Sequence, residues 1–232
     1  LEAELEARRQ QYDHYRDALL SFTESESVRW VSMRELGTWA GGVTPSKSIP
    51  RYWDEGTIPW LASMDVSAAN GPVTAEGIRG RVTKAALDET AVRIVSGPSV
   101  AVVMRSNVLR RFLPVAFVDV DTTVNQDIRI LKPGEGIVPR YAYQVLQAEA
   151  ERLRGSVVRT DGSMAAVDSN GFFEWKVPVP DVEVQMRIAE ALDTFDALVT
   201  NLSSGLPAEI EARRQQYAYY RDRLLTFKEA VA

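Results

Sequence analysis

The chain has 232 residues, of which 45% are hydrophobic and 25% are charged, a composition typical of a folded domain with appended helices. It has no cysteine, which excludes disulfides, thiol catalysis and cysteine-ligated metal sites, and which fits a reducing cytoplasm as the expected location. No apolar run reaches the roughly 18–20 residues that span a bilayer, so we expect no membrane partner.

The formal net charge of −5 is distributed unevenly. Residues 1–22 carry a net charge of −2 and residues 181–232 a net charge of −3, whereas residues 23–180 are neutral. Within that neutral part, residues 79–111 carry seven basic side chains against two acidic ones. This stretch permits contact with a polyanion, although a charge run is more often a solvated face, and the acidic total suggests that tight binding of nucleic acid needs a basic partner.

The first predicted element is a helix in residues 1–22. Its segment 6–22 recurs 205 positions later at 211–227, with 13 of 17 residues identical. Copies so far apart are not a solenoid repeat, and we interpret them as matched helices at the two ends of one domain. Apolar residues recur in both copies, and the last four of each have a 3-4-3 spacing that predicts helix pairing; the residues are Leu5, Tyr12, Tyr15, Leu19 and Phe22 in the first, and Tyr217, Tyr220, Leu224 and Phe227 in the second.

Residues 23–180 have the composition of one mixed, β-rich domain. The predicted elements, in chain order, are strands at 100–104, 115–118 and 127–131, a turn at 132–136, a helix at 140–154 and a strand at 174–180. With the flanking helices this predicts an α+β fold.

Residues 181–232 read as a second long helix, interrupted near 203–207 by Ser-Ser-Gly-Leu-Pro. Its first part has an apolar seam with 4-3-4-3 spacing that is typical of helix pairing: Ile188, Leu192, Phe195, Val199 and Leu202. Docking of this helix on its own domain is an equally good interpretation. Because both ends carry the repeat, we predict that residues 1–22 pair with part of 182–227 as an antiparallel coiled coil.

The sequence offers little for catalysis. The single histidine, His14, is replaced by Tyr219 in the second copy of the repeat, which argues against a general base. There is no phosphate-binding Gly-x-x-x-x-Gly-Lys-Ser/Thr loop and no Asn/Asp-Pro-Pro-Tyr/Phe motif of an adenine methyltransferase. Asp119 and Asp121 lack further ligands nearby, so we expect no metal site and no enzyme activity.

Three polar loops carry the residue types that hold phosphates and touch base edges. We call 41–53 the first polar loop, 104–111 the second and 158–163 the third. Each alone is more often an ordinary surface loop, but three on one domain without catalytic residues favour DNA binding. The predicted contact residues are Thr44, Ser46, Lys47, Arg51, Tyr52, Arg105, Ser106, Asn107, Arg110, Arg111, Arg159, Thr160 and Ser163.

The repeated E-A-R-R-Q-Q-Y-x-x-Y-R-D-x-L-L-[ST]-F closely resembles the conserved helix of type I restriction-modification specificity subunits. Segments at 41–46, 52–53, 58–60, 125–126 and 162–163 resemble landmarks of that family's target-recognition domains, and 178–193 resembles its entry into the conserved helix. The resemblance covers nearly the whole chain. It implies a non-catalytic chain that reads one part of a split DNA target, held between paired helices.

The resemblance also implies partners. Modification subunits would dock on the helices and methylate adenine, a motor-nuclease subunit would join them, and S-adenosylmethionine, ATP and Mg²⁺ would bind only those partners. One recognition domain is present and the first residue is Leu1, so the chain resembles a C-terminal half, or a natural half-subunit that forms a homodimer. Two alternatives remain: a coiled-coil adaptor that binds protein, and a nuclease, which the lack of a carboxylate cluster disfavours.

Overall fold

The computed structural model describes residues 2–22, 28–69 and 72–195, with side chains described from residue 10 onward. Within these ranges no helix combines the length and the apolarity needed to cross a membrane. The helices are α1 (Glu2–Leu19), α2 (Ser63–Ala68), α3 (Lys84–Glu89), α4 (Pro139–Val157), α5 (Ser169–Glu174) and α6, which covers 182–195. The strands are β1 (Arg29–Ser32), β2 (Gly37–Gly41), β3 (Ile58–Leu61), β4 (Gly80–Val82), β5 (Ser99–Val103), β6 (Val115–Val118), β7 (Thr123–Val124), β8 (Ile128–Pro133), β9 (Val158–Arg159), β10 (Ala166–Val167) and β11 (Lys176–Val179).

A four-stranded antiparallel sheet in the order β2-β8-β5-β6 forms the centre of the domain. Every residue of β5 and of β6 is buried, because this sheet has apolar layers on both faces. Val100 and Val102 face one core cluster, and their neighbours Ala101 and Val103 face the other. The alternation of side chains along a strand therefore separates two cores.

The larger core lies between the central sheet and helices α4, α5 and α6. Pro139 occupies the first turn of α4, where its missing N–H costs no helical hydrogen bond. Tyr141 is fully buried in α4, and its hydroxyl donates to the carbonyl oxygen of Pro178 over 2.9 Å. Burial raises the pKa of Tyr141 well above its ordinary range.

The smaller core lies on the opposite face, beneath α2 and a three-stranded sheet in the order β4-β3-β7. β3 runs antiparallel to β4 and parallel to β7. A satellite cluster around Tyr52, Val82 and Ala86 packs beside them. The mixed strands and helices confirm the expected α+β fold.

α1 contacts the domain through two of its predicted pairing residues. The hydroxyl of Tyr12 donates to Oε1 of Gln144 over 3.2 Å, and Gln144 in turn donates from Nε2 to Asp193 of α6 over 3.4 Å. The ring of Tyr15 stacks on that of Phe195, with centroids 5.3 Å apart and planes 13° apart. One end of the chain therefore contacts α6, while the full coiled coil stays a prediction.

The described part of the α6 seam makes both of the contacts considered from the sequence. Ile188 and Leu192 are buried in the larger core of their own domain, whereas Phe195 stacks on Tyr15 of α1. Phe22 also packs against this core, whereas Leu19 is partly exposed. The remaining pairing residues lie outside the residues whose side chains are described: Leu5, Val199, Leu202, Tyr217, Tyr220, Leu224 and Phe227.

Two predicted boundaries need correction. The turn at 132–136 is shorter than expected, because Lys132 and Pro133 continue β8 and pair with Thr38 and Gly37 of β2. The strand at 174–180 begins later than expected, because Glu174 ends α5.

Candidate nucleic-acid interface

The first and second polar loops leave the same end of the central sheet. β2 ends at Gly41 and β5 ends at Val103, and both run antiparallel to β8, which begins at Ile128. The ends of β2 and β5 therefore lie beside the start of β8. The turn at 125–127, which precedes β8, consequently lies close to both loops.

This turn connects the first polar loop to the second. The hydroxyl of Thr44 donates to Oε1 of Gln126, and Gln126 donates from Nε2 to Oδ2 of Asp127 over 3.2 Å. Arg105 donates from Nε to the other carboxylate oxygen of Asp127 over 2.7 Å. Four side chains thus form a continuous chain of polar contacts between the two loops.

The second polar loop is joined to the third by Arg110. Its guanidinium donates from Nη1 to the carbonyl oxygen of Thr160 over 3.0 Å and from Nη2 to that of Gly162 over 2.9 Å. The backbone N–H of Ser106 also donates to the carbonyl oxygen of Ala165 over 3.0 Å. The three predicted loops are therefore one connected surface.

The start of the first polar loop is fixed by a close backbone approach. The N–H of Val43 donates to the carbonyl oxygen of Val124 over 3.0 Å. A Cβ added to Gly42 would lie 1.8 Å from that same oxygen, so only glycine fits here. The loop is thereby held against β7.

Two tryptophans anchor the rest of this loop. Trp53 donates from Nε1 to the carbonyl oxygen of Ser46 over 3.0 Å, and Trp60 donates from Nε1 to that of Val43 over 3.2 Å. Ser46 and Ser48 share a hydrogen bond of 2.8 Å between their hydroxyls. The loop conformation is therefore set by Trp53 at its end and by Trp60 on the following strand, β3.

The cations of the surface fall into two groups. Three are paired with carboxylates: Arg51 with Glu89, Arg105 with Asp127, and Arg159 with Asp168. Lys47 and Arg111 are exposed and make no ion pair within the described ranges, while Arg110 binds only carbonyl oxygens. Positive charge thus remains available in the first and second polar loops.

The uncharged predicted residues differ in their surroundings. Asn107 is exposed and its amide has no partner in the described part of the chain. Ser106 instead caps a 3-10 turn, since its hydroxyl accepts from the N–H of Val108 over 3.3 Å. Thr160 and Ser163 are exposed at the tip of the third polar loop.

Tyr52 is placed differently from our expectation. Only 7% of its surface is exposed, and its hydroxyl donates to Oε2 of Glu89 over 3.1 Å. Its ring packs in the satellite cluster because the chain turns inward at the 3-10 helix Pro50–Tyr52. Tyr52 is therefore a core residue, and its ring is not exposed for contact with DNA.

Most basic residues of the stretch at 79–111 have partners elsewhere than on the connected surface. Arg79 is paired with the buried carboxylate of Asp65 over 2.9 Å, and Lys84 with Asp88 over 2.6 Å. Arg81 and Arg93 donate to nearby backbone carbonyls. Of its seven basic residues, only the three in the second polar loop lie on the connected surface.

Two elements of this surface were missed. Gln126 was noted only as part of a family landmark, and Asp127 was assigned to the start of a strand. Their local sequence gives no sign that they join two distant loops. No group of three or more His, Cys, Asp or Glu positioned to hold a metal occurs among the described residues.

Comparison with known proteins places this geometry in context. The model of the type I restriction modification DNA specificity domain matches residues 26–212. The specificity subunit of the type I restriction enzyme EcoR124I/EcoR124II from Escherichia coli is 40% identical over 227 residues, which cover 98% of this chain and 55% of that protein. The chain thus spans about half the length of that relative.

Solved structures show the same fold. A chain from a structure on complex assembly and conformational transition of the type I R-M system superposes with a TM-score of 0.71 at 15% identity, covering 93% of this chain and 51% of that one. The HsdS subunit from Thermoanaerobacter tengcongensis superposes with a TM-score of 0.63 at 14% identity, covering 87% and 46%. The family match over most of the chain is decisive: this chain belongs to the type I restriction modification DNA specificity domain family.

Proposed function

We propose that the chain recognises a specific duplex DNA sequence for a type I restriction-modification complex and has no catalytic role of its own. The observation that carries this proposal is the joining of the three polar loops into one surface, through Gln126, Asp127 and Arg110. A rigid surface with aligned polar groups is what readout of base edges requires.

The free side chains suggest a division of roles. Asn107 and Arg111 lie in the same loop, and these residue types form paired hydrogen bonds with adenine and guanine respectively. Lys47 is suited to a phosphate, which it would contact as a point charge. Arg51 and Arg159 carry carboxylate partners and would contribute less net charge to phosphate binding.

The same proposal assigns the partners. Modification subunits would dock on the helices and methylate adenine in the recognised sequence, and a motor-nuclease subunit would cleave unmodified DNA. S-adenosylmethionine, ATP and Mg²⁺ would bind those subunits and not this chain. The complex would act on DNA in the cytoplasm. Two copies of the chain would supply two recognition domains around a twofold axis.

Methylation mapping tests this function. The chain is co-expressed with a type I modification subunit in cells that lack adenine methylation, and methylated adenines are located by sequencing. A split palindromic motif is expected if two copies assemble, whereas an asymmetric split motif would mean that another recognition domain is recruited.

Variants sharpen the result. Asn107→Ala and Arg111→Ala should relax the motif at one position each. Lys84→Ala removes an exposed cation on α3, outside the polar loops and the flanking helices, and should leave the motif unchanged. No methylation, together with no binding to the modification subunit, would contradict the proposal. Binding that does not respond to salt would instead favour a protein-binding adaptor.

A further inference from the structure

An open cleft of about 480 Å³ lies beside the first polar loop, within the size range of small-ligand sites. It lies between this loop and the sheet that contains β3 and β4. Its lining residues are Lys47, Pro50, Trp53, Asp54, Trp60 and Gly80. None of the six has a part in the chain of contacts that joins the polar loops.

The two indoles give the cleft flat apolar walls. The rings of Trp53 and Trp60 meet edge to face, with centroids 5.1 Å apart and planes at 88°. Both indole N–H groups donate to backbone carbonyls of the first polar loop. Their polar atoms are thus already used, and the ring faces are what remains for a ligand.

Gly80 keeps the wall of the cleft in place. A Cβ on this residue would lie 2.6 Å from the carbonyl oxygen of Trp60 and 2.8 Å from Cε3 of its ring. Any larger residue would push the indole out of its position. The flat wall formed by Trp60 therefore depends on this glycine.

The rim of the cleft carries one charge of each sign. Lys47 and Asp54 are both exposed, and neither makes a side-chain hydrogen bond or ion pair within the described residues. An aromatic wall, a free cation and a free carboxylate suit a nucleotide: the ring stacks, the phosphate meets Lys47, and amino hydrogens of the base meet Asp54.

We propose that this cleft holds one unstacked base of the bound DNA, stacked on the ring of Trp53, with the perpendicular ring of Trp60 as the wall beside it. This inference rests on the proposed function, because the base would come from the duplex held by the polar loops. Adenine, cytosine and guanine present amino groups to Asp54. Thymine binds less well, since its only ring donor is flanked by two carbonyl oxygens that would face the carboxylate.

The test uses the full chain and duplexes of one sequence, with and without a single bulged 2-aminopurine, together with free dAMP and dTMP. Stacking against indole quenches 2-aminopurine, so binding and base insertion are read together. We expect the bulged duplex to bind at least about fivefold more tightly than the paired one, which is the lower end of one stacking contact. We also expect strong quenching, and binding of dAMP in preference to dTMP.

Matched variants separate stacking from loop anchoring. Trp53→Phe keeps a ring but loses the N–H that holds Ser46, and should retain most of the gain from the bulge. Trp53→Leu should lose that gain. Trp30→Leu removes a partly exposed indole outside the cleft and should behave as the parent chain. Asp54→Asn should reduce the preference for dAMP.

The outcomes distinguish the two proposals. Equal affinity for bulged and paired duplexes, without quenching, would overturn the cleft assignment and leave DNA recognition intact. Binding of dAMP without any gain from the bulge would overturn the origin of the base in DNA. If no duplex binds at all while dAMP is still discriminated from dTMP, the DNA function fails and the extrahelical base fails with it.

Discussion

Arg105 donates from Nε to Oδ1 of Asp127 over 2.7 Å, and this pair joins segments that lie 22 positions apart in the sequence. The side chain of Asp127 is the more buried partner, at 19% exposure against 53% for Arg105. A carboxylate is therefore held within a surface that we expect to meet phosphates. Such a group repels DNA in general, so we infer that the role of Asp127 is to orient Arg105.

The first prediction concerns that carboxylate. Asp127→Ala should weaken binding to a duplex that carries the motif found by methylation mapping by about tenfold. The reason is the loss of a charge-assisted hydrogen bond of about 1.5 kcal/mol or more that orients Arg105. The same change should strengthen binding to unrelated duplexes, since a negative charge is removed. Competition anisotropy on both duplexes measures the two effects.

Asp127→Asn keeps an acceptor for Arg105 and should recover part of the specific affinity. Asp88→Ala, which breaks an exposed pair on α3, should change neither affinity much. If Asp127→Ala raised the affinity for both duplexes, or lowered it for both, the carboxylate would not act by orienting Arg105.

The second prediction concerns the link between the second and third polar loops. Arg110→Lys cannot reach the carbonyls of both Thr160 and Gly162, because an ammonium lacks the two-pronged geometry of a guanidinium. Amide hydrogen exchange at 160–164 should therefore become faster. Arg111→Lys is the matched control, and equal exchange in the two variants would contradict the assignment.

The third prediction concerns the contact between α1 and α6. A double-mutant cycle on Tyr15→Ala and Phe195→Ala should give a coupling of about 0.5 kcal/mol, the low end for stacked rings, since Tyr15 is 41% exposed. Chemical denaturation measures it. Met186→Ala, on the exposed side of α6, should show no coupling to Tyr15→Ala, and additive effects of Phe195→Ala would mean that the stacking contributes nothing.

The fourth prediction concerns pH. Because burial raises the pKa of Tyr141, the folded protein holds this proton more tightly than the unfolded chain. The resulting stability is complete below pH 10, the ordinary tyrosine value, and is lost as the pH rises above it. Tyr141→Phe should lower the free energy of unfolding at pH 7 by about 0.5–1.5 kcal/mol, because the hydrogen bond to Pro178 is lost. The fall in stability above pH 10 should also be less steep in this variant.

Denaturation midpoints measured from pH 7 to pH 11 in both proteins check this expectation. An alkaline decline of equal steepness in the two proteins would show that Tyr141 does not carry it.

Local sequence predicted a large share of this fold. The run at 115–118 and the helix at 140–154 were found because burial on both faces and a helical stripe leave clear periodic patterns. The loops were found from their residue types alone. Their joining was not, because it depends on the register of β2 and β5 against β8, which no local pattern encodes.

Single residues were harder still. Tyr52 and Trp53 are adjacent aromatics in a polar loop, yet the former is buried and the latter lines a cleft. Their local sequence is shared, and the difference arises only from the inward turn of the 3-10 helix. Asp127 is similar, since its role depends on an arginine contributed by another strand end.

β1 and β11 are paired along their whole length, from Arg29 opposite Val179 to Ser32 opposite Lys176. The chain therefore enters and leaves the domain through adjacent strands, about 5 Å apart. A different domain could replace this one and keep the flanking helices in place if its ends formed the same strand pair and it offered α6 an equivalent apolar surface for Ile188 and Leu192. Recombination within the gene segments that encode β1 and β11 would then exchange the domain between them and keep the flanking helices.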